Sequence, residues 1–130
     1  MVQGHQYIHS NIKSKERLNM ELIQTEENGI VRLKIKGRLD ADSAPEAEKA
    51  VKDIIAGDKT KLLFDMSELD YISSAGLRVI LMSVKELRQK EGKIVLCSLN
   101  EYVHEVFEVS NFASIIPITK SIEDGIEQLS

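Results

Sequence analysis

The sequence predicts an α/β fold: a single mixed β-sheet that starts as an N-terminal antiparallel hairpin, continues through parallel crossovers and is packed by about four α-helices. Three observations predict it. Two alternating apolar runs flank Glu26-Glu27-Asn28-Gly29, and Asn-Gly between such runs is the strongest short hairpin signal. Lys61–Asp65 and Lys93–Ser98 are short continuous apolar runs, as buried strands are. Between and after them lie longer stretches whose apolar residues recur at helical spacing, the order that crossover connections require.

Residues 1–17 are polar and show no sustained period. They are expected to be a mobile N-terminal extension; an extra strand, a cloning remnant or a partner-binding arm are the alternatives. The domain proper is predicted over 18–130. Leu18, Met20 and Leu22 alternate with polar residues in the first hairpin strand, and Ile30 to Lys36 form the second, which Gly37 is expected to end. Asp40-Ala41-Asp42-Ser43 leads into a helix with Pro45 in its first turn, Ala47, Val51, Ile54 and Ile55 inward, and Gly57 at its stop. After Lys61–Asp65, a long helix is predicted from near Ser74 to about Lys90. Leu77, Ile80, Leu81, Val84 and Leu87 form its buried face and Gly92 marks its end. Asn100 caps a helix carrying Val103, Val106 and Phe107. Ile115 to Ile118 suggest a last short strand, with Pro117 at its edge or end. Ser121 caps a final helix with Ile122, Ile126 and Leu129 inward.

Composition narrows the function. At 130 residues the chain suffices for one core, and 42% hydrophobic with 29% charged residues describes a soluble globular protein. The net charge of −4, with acids and bases interleaved, argues against a general nucleic-acid binder. No apolar run approaches a membrane span and no secretory pattern precedes the core, so the expected location is cytoplasmic. The lone Cys97 sits in an apolar run and reads as core packing. His5, His9 and His104 lack metal-ligand spacing. No catalytic constellation, cofactor or metal site is predicted, and no phosphate-cradling glycine loop supports a nucleotide binder.

What remains is the junction of strand and helix at Ser73 and Ser74. A serine there can simply cap the helix. It can also carry a phosphate, because free backbone N–H groups and the positive end of the helix dipole favour a dianion at that place.

Tyr71-Ile72-Ser73-Ser74-Ala75-Gly76-Leu77-Arg78 resembles the signature of STAS domains, in particular of bacterial anti-sigma factor antagonists (anti-anti-sigma factors). Gly37-Arg38-Leu39-Asp40 resembles the Gly-x-Leu-Asp that closes the preceding strand in that family. The resemblance spans about Leu18 to Leu129 and implies the STAS fold. It also implies a phosphoryl acceptor at Ser74, with Ser73 the other candidate because members with Asp-Ser-Ser carry an acid at that position. The implied partner surface comprises Asp40, Ser73, Ser74, Ala75, Gly76 and Arg78, the small Ala75 and Gly76 leaving room for a partner's backbone. Asp40 also reads as an ordinary turn residue and Arg78 as a solvated helix arginine. The implied role is that of a switch, not an enzyme. Unmodified, the protein binds an anti-sigma factor that is a serine kinase and so frees a sigma factor; the kinase ends this by phosphorylation and a serine phosphatase reverses it. The alternative is a non-catalytic regulatory subunit of a membrane transporter or larger signalling assembly.

Overall fold

Asn28 and Gly29 both take positive φ, 54° and 81°, the requirement of a type I′ turn whose twist suits a hairpin. That turn joins β2 (Met20–Glu27) to β3 (Ile30–Leu39) in antiparallel register, from Glu27 opposite Ile30 to Met20 opposite Gly37. The computed structural model describes residues 5–8 as backbone and 19–130 in full. Within the predicted extension 1–17, His5–Ile8 forms β1, antiparallel on β2 with His5 opposite Glu27. The rest of that extension, and Leu18 of the predicted first strand, lie outside the described residues.

β3 is longer than the sequence suggests, because Gly37 does not end it. Ile30–Lys34 pair in parallel with β4 (Lys61–Asp65). From Gly37 onward the strand pairs in parallel with β5 (Leu69–Ile72), with a register shift between Gly37 and Arg38. Gly37 has φ +94°, and a Cβ there would lie 2.2 Å from the carbonyl oxygen of Asn19. The extra residue at this shift is Asp70 of β5, since Gly37 stands opposite Leu69 and Arg38 opposite Tyr71; the glycine itself is required by its positive φ and by the close approach of Asn19. β6 (Lys93–Cys97) joins β4, and β7 (Ile118–Thr119) joins β6, both parallel. The seven described strands form one sheet in the order β1-β2-β3-β4-β6-β7, with β5 beside the end of β3.

Alternation along the strands sorts the core onto two faces. Leu33, Ile35, Leu62, Phe64 and Leu96 pack with α1 (Ala44–Ala56), α2 (Ser74–Gln89) and α3 (Glu101–Val109). Ile30, Leu63, Val95 and Cys97 pack on the other face with Ile122 and Leu129 of α4 (Ile122–Leu129). Each fully buried side chain of this size contributes about 1.5–3 kcal/mol of transfer free energy. Asn100 accepts from the Val103 N–H at 2.8 Å and Ser121 from the Asp124 N–H at 3.1 Å, so both predicted caps are in place.

Several details differ from the sequence reading. The buried stripe of α2 is Gly76, Val79, Ile80, Ser83, Val84 and Leu87, with Leu77 and Leu81 only half-buried. Ser83 enters this stripe by donating its hydroxyl to the Val79 carbonyl at 2.7 Å. Ile126 is exposed instead of inward. At the end of α2 the left-handed residue is Glu91, φ +58°; Gly92 is needed instead because a Cβ would meet the Thr60 carbonyl at 2.5 Å. The last strand is confined to Ile118–Thr119, since Phe112–Ser114 turns as a short 3-10 helix before it.

Candidate functional site

Parallel pairing of β3 and β5 brings two separate loops to one edge of the sheet. Leu39 stands opposite Ile72, and the Ser73 N–H donates to the Leu39 carbonyl at 3.0 Å. The loop 40–43 leaves β3 there, and α2 starts there after β5. Gly76 makes the junction possible. It is buried, and a Cβ on it would lie 2.6 Å from the Leu39 carbonyl and 2.8 Å from Ile72 Cγ1. Its missing side chain is therefore used inside the molecule, for the approach of α2 to β3; the room it leaves is not open to a partner.

The two serines differ in what they already do. Ser73 is the N-cap of α2, in extended conformation, and its Oγ accepts from the Gly76 N–H at 3.4 Å. Ser74 is the first helical residue, exposed, with a hydroxyl that has no partner among the described residues. The first turn of α2 contains no acid, so its positive end is not compensated by the helix itself. Arg78 lies one turn further on, exposed and without an ion pair among the described residues; Ala75 is half-buried.

Asp40 holds the neighbouring loop. Its Oδ1 accepts from the N–H groups of Asp42 at 3.0 Å and Ser43 at 3.1 Å, and from the Ser43 hydroxyl at 3.3 Å. The single proton of the buried Ser43 hydroxyl is shared, with the Arg38 carbonyl at 2.8 Å its nearer acceptor and Asp40 Oδ1 the farther one. Desolvation pushes the Asp40 carboxyl upward, but the hydrogen bonds from Ser43 and Asp42 and the nearby Arg38 guanidinium outweigh it. They hold the carboxyl below its ordinary value. Asp40 thus stays ionised and starts α1, whose first residue donates its N–H to the Asp40 carbonyl at 2.8 Å.

Next to Asp40 lies a constellation that the sequence did not disclose. Arg38 Nε is 3.5 Å from Asp40 Oδ2, and its guanidinium stands 4.2 Å from the centre of the Tyr71 ring. Tyr71 in turn stacks on Tyr102 of α3, with centroids 6.0 Å apart and planes inclined by 12°. The Asn100 amide ties the start of α3 to β5 by donating to the Leu69 carbonyl at 3.0 Å. Only the register of β3 on β5 places Arg38 beside Tyr71.

Among the described residues no group of His, Cys, Asp or Glu is arranged to hold a metal ion, and no helix is long and apolar enough to cross a membrane. The Cys97 thiol is buried and directed at the Phe64 carbonyl; burial, then the Asp65 carboxylate, push it up to about 11. Such a thiol is a poor nucleophile at neutral pH.

Comparison with known proteins gives concordant matches. The model of the STAS domain family matches residues 19–125. BtrV of Bordetella bronchiseptica, grouped by name with the anti-sigma factor antagonists, is 38% identical over 104 residues, covering 80% of this chain and 90% of its own. The anti-sigma-B factor antagonist of Listeria monocytogenes is 32% identical over 89 residues, or 68% and 77% of the two chains. Among solved structures, an anti-sigma factor antagonist from Mycobacterium paratuberculosis superposes with a TM-score of 0.79 at 16% identity, over 85% of this chain and 93% of its own. The Bacillus cell fate determinant SpoIIAA in its phosphorylated form gives 0.67 at 19% identity, over 85% and 99%. At those identities the two structures speak for the fold alone.

Proposed function

The chain belongs to the STAS domain family, among relatives named anti-sigma factor antagonists, and from that premise we propose that it is a protein-binding switch governed by phosphorylation of Ser74. The observation that carries this reading is the division of labour between the serines. Ser73 supplies the cap, so Ser74 is left with an exposed hydroxyl at the positive end of a 16-residue helix. Unphosphorylated, the protein binds an anti-sigma factor that is also a serine kinase and so releases a sigma factor. Phosphorylation by that kinase ends the complex and a serine phosphatase restores it. In this reading the protein is a substrate and a regulator in the cytoplasm, with no chemistry of its own.

The physics is a difference between free and bound states. A phosphate adds about −1.5 to −2 charges and three acceptor oxygens. On the free protein these meet the helix N-terminus and water, with Arg78 one turn away. Under a tightly packed partner they would be a buried dianion short of counter-charge, which is costly. In this reading Asp40, Ala75 and Arg78 contribute to the partner surface with the hydroxyl, while Ser73 and Gly76 act from beneath by fixing the first turn. The named relatives do not favour the transporter-subunit alternative.

A paired capture from host lysate tests the reading, with wild type and Ser74→Asp as baits. Recovery of an ATP-binding serine kinase by wild type and its loss with Ser74→Asp is the expected result. Equal recovery by both baits would sink the switch.

A further inference from the structure

We infer that Arg38, mounted on the Tyr71–Tyr102 stack, is the specificity-determining contact of the partner surface and that it receives a carboxylate side chain of the anti-sigma factor. The inference rests on the binding role proposed above, but not on phosphorylation of Ser74.

The geometry fixes the guanidinium on two sides and leaves it open on the third. One face lies 4.2 Å from the Tyr71 ring centre, a cation–π distance. The Nε edge meets Asp40 at 3.5 Å. Among the described residues no other group engages the Arg38 guanidinium, and the side chain remains 47% exposed. Of its five N–H donors, those on the terminal nitrogens therefore have no partner among the described residues, in the forked arrangement that matches a carboxylate bidentately. Because stacking and ion pairing already restrict the side chain, less rotamer freedom is lost on binding than for a free arginine.

The surroundings extend the contact. Tyr102 is 44% exposed, and Val109, two turns along the same side of α3, is 78% exposed, with Val106 half-buried between them. An arginine beside two tyrosines and an aliphatic edge has the composition of an interface hot spot. It is continuous with the Asp40 loop through the Arg38–Asp40 pair, so a partner covering Asp40 and Ser74 reaches it. The complementary occupant is a segment with an acidic side chain next to an apolar one.

The test uses the ATP-binding anti-sigma factor encoded in the same genome, purified, and titrated calorimetrically against wild type, Arg38→Glu, Arg38→Lys, Tyr102→Ala and Ser74→Asp. Each variant's thermal melt is recorded to establish that it is folded. Arg38→Glu is expected to lose about 30-fold or more in affinity, the effect of one hot-spot residue. Arg38→Lys keeps the charge but not the fork or the stack, and is expected to lose about tenfold. Reversing the charge of the partner's acidic contact should restore binding to Arg38→Glu. Folded Arg38→Glu and Tyr102→Ala proteins that bind within twofold of wild type would overturn the inference. The two readings fail separately: Ser74→Asp binding like wild type removes the switch, whereas Arg38→Glu binding like wild type removes the arginine contact.

Discussion

Replacing each serine of the pair by alanine should separate a structural hydroxyl from a functional one. In Ser73→Ala the Gly76 N–H loses its acceptor at a buried position of the first turn of α2. Loss of an N-cap costs about 0.5–2 kcal/mol. The 3.4 Å separation is long for a hydrogen bond, which places this site in the lower half of that range, about 0.5–1 kcal/mol. For a domain of this length that corresponds to a fall in Tm of about 2–5 °C. Ser74→Ala removes an exposed hydroxyl without a partner among the described residues and should change stability by less than about 0.5 kcal/mol. Urea unfolding with matched m-values measures both. The same two proteins offered to the partner kinase with labelled ATP should incorporate phosphate in Ser73→Ala and none in Ser74→Ala. A Ser74→Ala protein less stable than Ser73→Ala, or label retained by it, would refute the assignment of cap and acceptor.

Two further perturbations bear on the frame that holds the site. Gly76→Ala puts a Cβ within 2.6 Å of the Leu39 carbonyl and should cost about 1–3 kcal/mol, read as a lower urea midpoint. An unchanged midpoint would show that α2 can move off β3 freely. Asp65 is fully buried and, although burial pushes its carboxyl upward, the Arg32 guanidinium at 2.8 Å and the Ser67 N–H hold it below its ordinary value. Its contribution is therefore present above the ordinary carboxylate range and is lost as pH falls through its lowered native value. Arg32→Met strands that carboxylate and should cost about 3 kcal/mol at neutral pH, the lower end for a broken buried pair because Arg32 itself is partly exposed. The gap to wild type should narrow on acidification, as the stranded carboxyl takes up a proton. A gap independent of pH would remove Asp65 from the account.

What could be read from the sequence was what local chemistry encodes. Asn28-Gly29, Asn100 and Ser121 each do their work within three or four residues, and each stands where the sequence reading put it. Which of Ser73 and Ser74 caps α2 stays open in the sequence, and the structure decides in favour of Ser73. β5 was not legible, because Leu69 and Ile72 are its two inward residues and show no alternation. Four residues become a strand only because β3 passes beyond Gly37 to pair with them. For the same reason Gly37 read as a stop, since a glycine gives no local sign that the strand continues past it to a new partner. The neighbourhood of Asp40 and Ser74 was expected only through the family resemblance. Arg38, Tyr71 and Tyr102 come from three separate elements and share no sequence spacing, so nothing short of the β3–β5 register could have joined them.

The glycine beneath the first turn of α2 bears on how cells keep parallel signalling circuits apart. Any chain that seats a helix this close to a strand end needs a residue without a Cβ there, whatever partner it serves. The Ser-Ser-Ala-Gly-Leu string therefore advertises the architecture and is silent on whom the protein addresses. Under the binding role proposed above, where one genome encodes several such proteins, insulation between their circuits would be written into solvent-facing positions such as Arg38, Arg78 and Tyr102. Those are the positions to exchange when testing whether one circuit can be rewired to answer another's partner.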